Sequence, residues 1–211
     1  MEIRAEDYEK ILRKGYTSEE IIGGLKEISD LLDHRMDVLV IGEAPIVLRT
    51  WKKICSEIEL VFLKQEDLDS FIEALSKAGY EETLNMRYKK YLAFDLYLRF
   101  FSEFAVSEEM VRRAFETDLG NIVVKIASPE DVILLKSSST RDSDYMDIRL
   151  LLNKIKPDWG SIVSELDTQV NELGASDYSG IMLLATVNDL RRRKYQIPDD
   201  ARKEIIRAIQ K

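Results

Sequence analysis

The chain has 211 residues, of which 45% are hydrophobic and 33% are charged. This length and composition are typical of one globular domain, or of a domain with a helical annex, that buries a sizeable core. The formal charge of −8 argues against broad, unspecific binding to nucleic acid, although it leaves a local basic site open.

Strands and helices alternate in the first part of the chain. Alternating or continuous apolar runs predict strands, which lie at 37–41, 55–63, 91–101 and 122–127. Apolar residues at helical spacing, together with start and stop signals, predict helices, which lie at 18–32, 43–53, 66–78 and 107–115. Residues 81–90 are predicted to be β-structure with a turn near Asn85 and Met86. A short helical or irregular arm precedes residue 18.

Every predicted element from residue 128 onward is a helix. These helices lie at 128–136, 141–154, 159–173, 177–195 and 198–211. The sequence therefore predicts an α/β (α+β) fold with two parts, a mixed core over 1–127 that includes the N-terminal arm and a helical part over 128–211.

Two glutamates occupy alternate positions on the second predicted strand. In a strand successive side chains point to opposite faces, so Glu57 and Glu59 share a face while Ile58 and Leu60 enter the core. Two carboxylates so close repel each other unless a cation lies between them, and Mg²⁺ prefers such oxygen ligands. Asp95 adds a third acid on the polar face of a later strand. The alternative is a solvent-facing strand whose polar side happens to read Glu-x-Glu.

Cysteine and histidine chemistry has little support in this sequence. Cys55 is the only cysteine and His34 the only histidine, so an intramolecular disulfide is excluded and a zinc site has too few ligands. No cleavable signal or apolar run of membrane-spanning length is visible. We therefore expect a cytoplasmic protein that does not contact a membrane.

The order of these features resembles the nucleotidyltransferase fold, in the group related to the AbiEii abortive-infection toxins. That family shows a glycine motif, then Asp-x-Asp, then a third aspartate on a neighbouring strand, followed by a lysine and Arg-x-Lys-Asp-x-x-Asp-Leu in the helical part. The corresponding residues here are Gly42-Glu43, Glu57-Ile58-Glu59, Asp95, Lys136, Arg141, Asp144 and Asp147.

The resemblance implies a mixed sheet flanked by helices and transfer of a nucleoside monophosphate from a nucleoside triphosphate to a hydroxyl acceptor. It implies Mg²⁺ or Mn²⁺ held by Glu57, Glu59 and Asp95, with Asp95 also accepting the proton of the acceptor. Nucleotide contacts would come from Gly42 and Lys136, with Arg141, Asp144 and Asp147 orienting Lys136 or touching the nucleotide. The acceptor could be RNA, a protein or a small molecule.

This sequence departs from the family at several motif positions. Glutamates replace both aspartates of the pair, and Glu43 puts a negative charge where triphosphate oxygens would lie, so catalysis requires Glu43 to turn away. An alternative is therefore a catalytically silent relative that acts as a binding or regulatory module, for example within a toxin–antitoxin pair. A third hypothesis is a scaffolding protein whose acids are unrelated.

One basic run, Arg191-Arg192-Arg193-Lys194, follows a predicted helix. Cations are favourable at a helix C-terminus, which accounts for the run without a ligand. The functional alternative is a contact with RNA or with an acidic partner.

Overall fold

The computed structural model describes residues 15–101, 104–175 and 177–210. The predicted N-terminal arm falls almost entirely outside them. Seven of the described strands form one sheet in the order β3-β4-β5-β2-β1-β9-β8, and β6 and β7 form a separate pair. The strands are β1 (Met36–Ile41), β2 (Ile58–Phe62), β3 (Glu81–Leu84), β4 (Arg87–Lys89), β5 (Ala93–Leu98), β6 (Phe100–Phe101), β7 (Phe104–Ala105), β8 (Phe115–Asp118) and β9 (Ile122–Ile126).

Helices cover both faces of this sheet. They are α1 (Ser18–Ser29), α2 (Ala44–Leu48), α3 (Gln65–Lys77), α4 (Glu108–Arg113), α5 (Pro129–Ser137), α6 (Asp142–Lys154), α7 (Trp159–Asp167), α8 (Tyr178–Arg192) and α9 (Asp199–Ile209). A π-helical turn, Thr168–Glu172, continues α7.

Strand directions make the sheet mixed. β1 is antiparallel to β2 and parallel to β9, while β2 is parallel to β5. Because side chains alternate along each strand, the sheet supplies two cores. Leu60 packs in the core with α1 and α3, whereas Val61 packs in the core with helices α5 to α9.

The predicted fold class is confirmed, as is the helical character of the described C-terminal residues. In β5, the strand that carries Asp95, the residues from Ala93 to Leu96 are all buried. Two details are wrong. The helix predicted over 107–115 ends at Arg113, and Phe115 begins β8, which pairs antiparallel with β9. The helix predicted over 43–53 is limited to α2. Among the described residues, no helix is both long and apolar enough to cross a membrane.

Candidate functional site

The three acids predicted to bind metal lie on one face of two neighbouring strands. Glu59 is directly opposite Asp95 in the parallel register of β2 and β5. Glu57 precedes Glu59 by two positions, so strand alternation directs both side chains to the same face. Ile58 and Leu60 point into the core on the opposite face. Asp95 is 36 positions from Glu59 in the sequence, and the pairing of β2 with β5 is what brings the two carboxylates together.

Arg87, which no sequence pattern indicated, binds two of these acids. It lies opposite Asp95 in the antiparallel pairing of β4 with β5. Its guanidinium donates two hydrogen bonds of 2.5 Å to Asp95 and one of 2.6 Å to Glu57. The hydrogen bonds to Asp95, and then the charges of both carboxylates, raise the pKa of Arg87. Asp95 is only 7% exposed, so this cation supplies the charge that a buried carboxylate requires.

Glu59 lies against the turn that ends β1. Gly42 has a φ of +71°, and a Cβ at this position would lie 1.5 Å from Oε2 of Glu59. Glycine therefore meets two requirements here, a left-handed backbone and space for the carboxylate. Burial, and then the charge of Glu57, raises the pKa of Glu59 to about 7. Among the described residues Glu59 has no ion-pair partner.

Glu43, the unexpected acid of the glycine motif, is paired with a lysine. Lys52 Nζ donates a 3.1 Å hydrogen bond to Oε1 of Glu43, and the backbone N–H of Ser56 donates a 3.1 Å hydrogen bond to Oε2. Burial opposes ionisation of Glu43, but Lys52 outweighs it, and the pKa of Glu43 is lowered. Glu43 is therefore ionised, and the positive charge of Lys52 offsets its negative charge.

Lys136 is buried between two aspartates of α6. It donates a hydrogen bond to Asp144 and lies 3.0 Å from Oδ2 of Asp147. Asp144 also accepts a 2.7 Å hydrogen bond from Nε of Arg141, and Asp147 accepts one of 2.7 Å from Lys52. Lys136 is 5% exposed, whereas the side chain of Arg141 is 63% exposed. Of these two cations, Arg141 is therefore the one open to a ligand from solvent.

These ion pairs connect into one chain of alternating charge, which we call the charge chain. Its members are Glu43, Lys52, Asp147, Lys136, Asp144, Arg141, Glu57, Arg87 and Asp95. The longest link is the 4.0 Å separation of Arg141 Nη1 from Glu57 Oε1. The charge chain joins the sheet to α6, and Glu59 is the predicted metal ligand that lies outside it.

A cavity of about 290 Å³ is lined by five of the eight predicted site residues, while Glu57, Asp95 and Asp147 do not line it. Its lining residues are Ile41, Gly42, Glu59, Tyr97, Phe104, Leu135, Lys136, Ser138, Ser139, Arg141 and Asp144. The hydroxyl of Ser138 is buried there without a hydrogen-bond partner. A buried hydroxyl without a partner is costly, so this atom marks a position that a polar ligand group would satisfy.

The donor atoms around the cavity suit a hard cation in their chemistry, since Mg²⁺ binds carboxylate oxygens together with phosphate oxygens. Within the described ranges, no three acidic, histidine or cysteine side chains are arranged as a metal-binding group. Arg87 instead provides the positive charge between Asp95 and Oε2 of Glu57. Oε1 of Glu57 makes no hydrogen bond to Arg87 but lies 4.0 Å from Nη1 of Arg141, whereas Glu59 has no ion pair among the described residues.

Comparison with known proteins agrees with this architecture. A family described as "Nucleotidyl transferase of unknown function (DUF2204)" matches residues 18–184. An antigenic nucleotidyltransferase-like protein from Paracoccidioides brasiliensis has a similar fold, with a TM-score of 0.50, 15% sequence identity and 92% coverage of each chain. No curated protein matches the sequence.

The family match spans both the sheet and the helices that carry the charge chain, and it supports a general role in nucleotidyl transfer with a nucleotide as substrate. The resemblance to the nucleotidyltransferase fold is confirmed, while the narrower AbiEii-like group stays a prediction. The chain belongs to the nucleotidyl transferases of unknown function, DUF2204.

Proposed function

We propose that this protein transfers a nucleoside monophosphate from a nucleoside triphosphate to a hydroxyl-bearing acceptor, with the triphosphate bound in the 290 Å³ cavity. The observation that carries the proposal is the convergence of Gly42, Glu59, Lys136 and Arg141 on that one cavity. These residues come from the end of β1, from β2 and from two helical segments, and Asp95 lies beside them on β5.

Two groups on the helical side of the cavity are suited to phosphate. Arg141 presents an exposed guanidinium, which binds phosphate oxygens in a bidentate manner. The unpartnered hydroxyl of Ser138 can donate a hydrogen bond to another phosphate oxygen. Lys136 lines the cavity, but its ammonium group donates its hydrogen bond to Asp144. Its role is to hold α5 and α6 in position rather than to contact phosphate as a free point charge.

The acids of β2 and β5, of which Glu59 lines the cavity, would hold the divalent ion, Mg²⁺ or Mn²⁺. Glu59 and Oε1 of Glu57 are the proposed first ligands, with Asp95 as third ligand and proton acceptor. When bound, such an ion neutralises phosphate charge and stabilises the leaving pyrophosphate. Asp95 is hydrogen-bonded to Arg87, so its release from that guanidinium is required before it can accept a proton.

Nucleotide binding and product formation test this proposal. In a thermal-shift experiment each triphosphate with Mn²⁺ should stabilise the protein by linkage, and labelled triphosphates incubated with a cell extract should label one acceptor class. The Glu57→Gln, Glu59→Gln variant should lose both effects. The Glu66→Gln, Glu81→Gln variant, which also removes two carboxylates but from exposed positions on α3 and β3, is the matched control and should retain them. If no triphosphate stabilises the wild-type chain, nucleotidyl transfer at this cavity is refuted.

A second candidate, a silent binding or regulatory module of the kind found in toxin–antitoxin pairs, is favoured by the Arg87 hydrogen bonds. The guanidinium of Arg87 offsets the charges of Asp95 and Glu57. The protein can therefore fold stably without a metal ion at these acids. On this hypothesis the protein binds a nucleotide equally well with EDTA and with Mn²⁺, and no acceptor becomes labelled. Metal-dependent labelling would exclude it.

A further inference from the structure

A large, strongly basic groove lies away from the charge chain. It has a volume of about 1140 Å³ and lies between the C-terminal end of α6 and the junction of α8 with α9. Its cationic lining residues are Arg149, Lys156, Arg191, Arg193 and Lys194, and Asp199 is the one acid in the lining. This concentration of positive charge occurs in a chain with a net charge of −8.

The helix dipole does not account for this groove. Cations are favourable at the C-terminus of α8, which explains Arg191 and its neighbours in sequence. Arg149 on α6 and Lys156 in the following loop come from a different part of the chain, yet they line the same groove. Convergence of cations from separate segments raises the local positive potential and attracts anions to the groove.

Several of these cations are available to a ligand. Arg191 pairs with Asp199, and Arg193 donates a 2.8 Å hydrogen bond to Asp189. Lys156 and Lys194 are exposed and have no ion pair within the described part of the chain. Lys194 also has a left-handed backbone, with φ of +67°, where glycine would cost less. The charge of a lysine is thus present at a position whose backbone favours glycine.

We propose that this groove binds a segment of single-stranded nucleic acid through its phosphates. Small-molecule sites are typically about 300–1,000 Å³, so this groove suits a length of polymer better than a single small anion. Arginine guanidinium groups bind phosphate in a bidentate manner and stack on bases. Arg149 donates a 3.1 Å hydrogen bond to the hydroxyl of Tyr195, and its guanidinium carbon lies 6.0 Å from the centroid of that ring. The groove thus has an aromatic ring beside a cation, the combination on which bases stack.

The position of the groove relates it to the 290 Å³ cavity. α6 carries Asp144 at the cavity and Leu152 in the groove. Eight residues of helix correspond to roughly 12 Å at about 1.5 Å per residue. A strand bound in the groove therefore lies within a few nucleotides of the cavity. The binding itself does not depend on catalysis, and it is tested without nucleotide or metal.

Fluorescence anisotropy with a labelled 12-nucleotide single-stranded RNA, in EDTA and over a series of salt concentrations, tests the proposal. The wild-type chain should bind. The Lys156→Gln, Lys194→Gln variant should bind about 25-fold more weakly at ~0.1 M salt. The slope of log K against log salt concentration should be smaller in magnitude by about 1.4, because each phosphate contact on a single strand contributes roughly 0.7. Both lysines are exposed and lack ion pairs within the described residues, so the variant should fold normally, which circular dichroism verifies.

The control variant is Lys64→Gln, Lys89→Gln, which removes the same charge from two exposed lysines outside the groove. It should retain most of the wild-type affinity. Equal loss in both variants would mean that net charge alone drives binding, and no binding by the wild type would overturn the proposal directly. If polyglutamate competes for the groove as effectively as RNA, the partner is an acidic protein segment and the nucleic-acid assignment is wrong.

Discussion

Replacing Arg87 with methionine should destabilise the protein in the absence of metal and create a stronger response to it. The substitution removes two hydrogen bonds to Asp95 and one to Glu57. Hydrogen bonds to charged groups contribute about 1.5–3 kcal/mol each when buried. The Arg87 side chain is 40% exposed, so water replaces part of this, and we expect a net loss of about 2 kcal/mol in the free energy of unfolding. For a chain of this size that lowers Tm by roughly 4–8 °C.

The same substitution frees Asp95 and Oε2 of Glu57 to bind a metal ion. Ion binding stabilises the folded state by about 2.7 kcal/mol when the ion is at ~100 times its Kd. Urea unfolding of Arg87→Met in EDTA and in Mn²⁺ should therefore show the lost stability restored by the ion. In the wild-type chain Arg87 occupies oxygens of Asp95 and Glu57. Mn²⁺ without nucleotide should therefore raise the free energy of unfolding by less than in Arg87→Met. Adding Glu57→Gln to Arg87→Met should remove most of the gain.

A matched control is Arg35→Met. Arg35 also binds one aspartate with two hydrogen bonds, to Asp118, but this carboxylate is exposed. Exposed pairs contribute about 0–1 kcal/mol, so this variant should lose little stability and should show no added response to Mn²⁺. If Arg87→Met loses no more stability than Arg35→Met, or if Mn²⁺ stabilises both equally, Arg87 does not provide the cation for the two site acids.

Three further predictions concern single residues. Urea unfolding should show that Gly42→Ala lowers the free energy of unfolding by at least about 1 kcal/mol more than Gly174→Ala does. Both glycines have a positive φ, but only a Cβ at position 42 would lie against Glu59. Equal losses would contradict this close contact. Lys136→Met should cost about 2 kcal/mol, since it removes the buried cation between two buried carboxylates and leaves each with one partly exposed partner, Arg141 or Lys52. A loss below about 1 kcal/mol would contradict the buried pairing of Lys136. Burial raises the pKa of Cys55 to about 12, so at pH 8 iodoacetamide should label the native chain at least ~100-fold more slowly than the unfolded chain, and comparable rates would show that the thiol is exposed.

The parts of the site that depend on strand alternation could be predicted from the sequence. Glu57 and Glu59 share a face because they are two positions apart, and Asp95 lies on the polar side of an alternating strand. Glu59 and Asp95 lie side by side because β2 and β5 are neighbours in a particular register. Periodicity alone does not determine which strands pair or in which register. Here the order of motifs along the chain provided that information.

Contacts between distant segments could not be read from the sequence. Arg87 lies on β4, a strand of three residues, which is too short for an alternation signal, and its pairing with Asp95 depends on the hairpin register. Lys52 follows α2 in an irregular segment, so nothing local indicated that it would neutralise Glu43. β8 was missed because all four of its residues are exposed or half-exposed at the edge of the sheet, and it therefore lacks an apolar face.

Charge balance at the site bears on whether the family activity is retained. The charge chain contains five acids and four bases, and Glu59 beside it is a sixth acid. With Glu59 ionised the group carries two uncompensated negative charges, which one divalent cation would neutralise. Without such an ion, burial keeps the pKa of Glu59 near 7, so a proton provides part of the missing charge. Glu59 is half-buried, and a partly desolvated carboxylate that has no ion-pair partner costs free energy. The presence of Glu59 against Gly42, without a cation of its own among the described residues, therefore favours a site that uses a further positive charge.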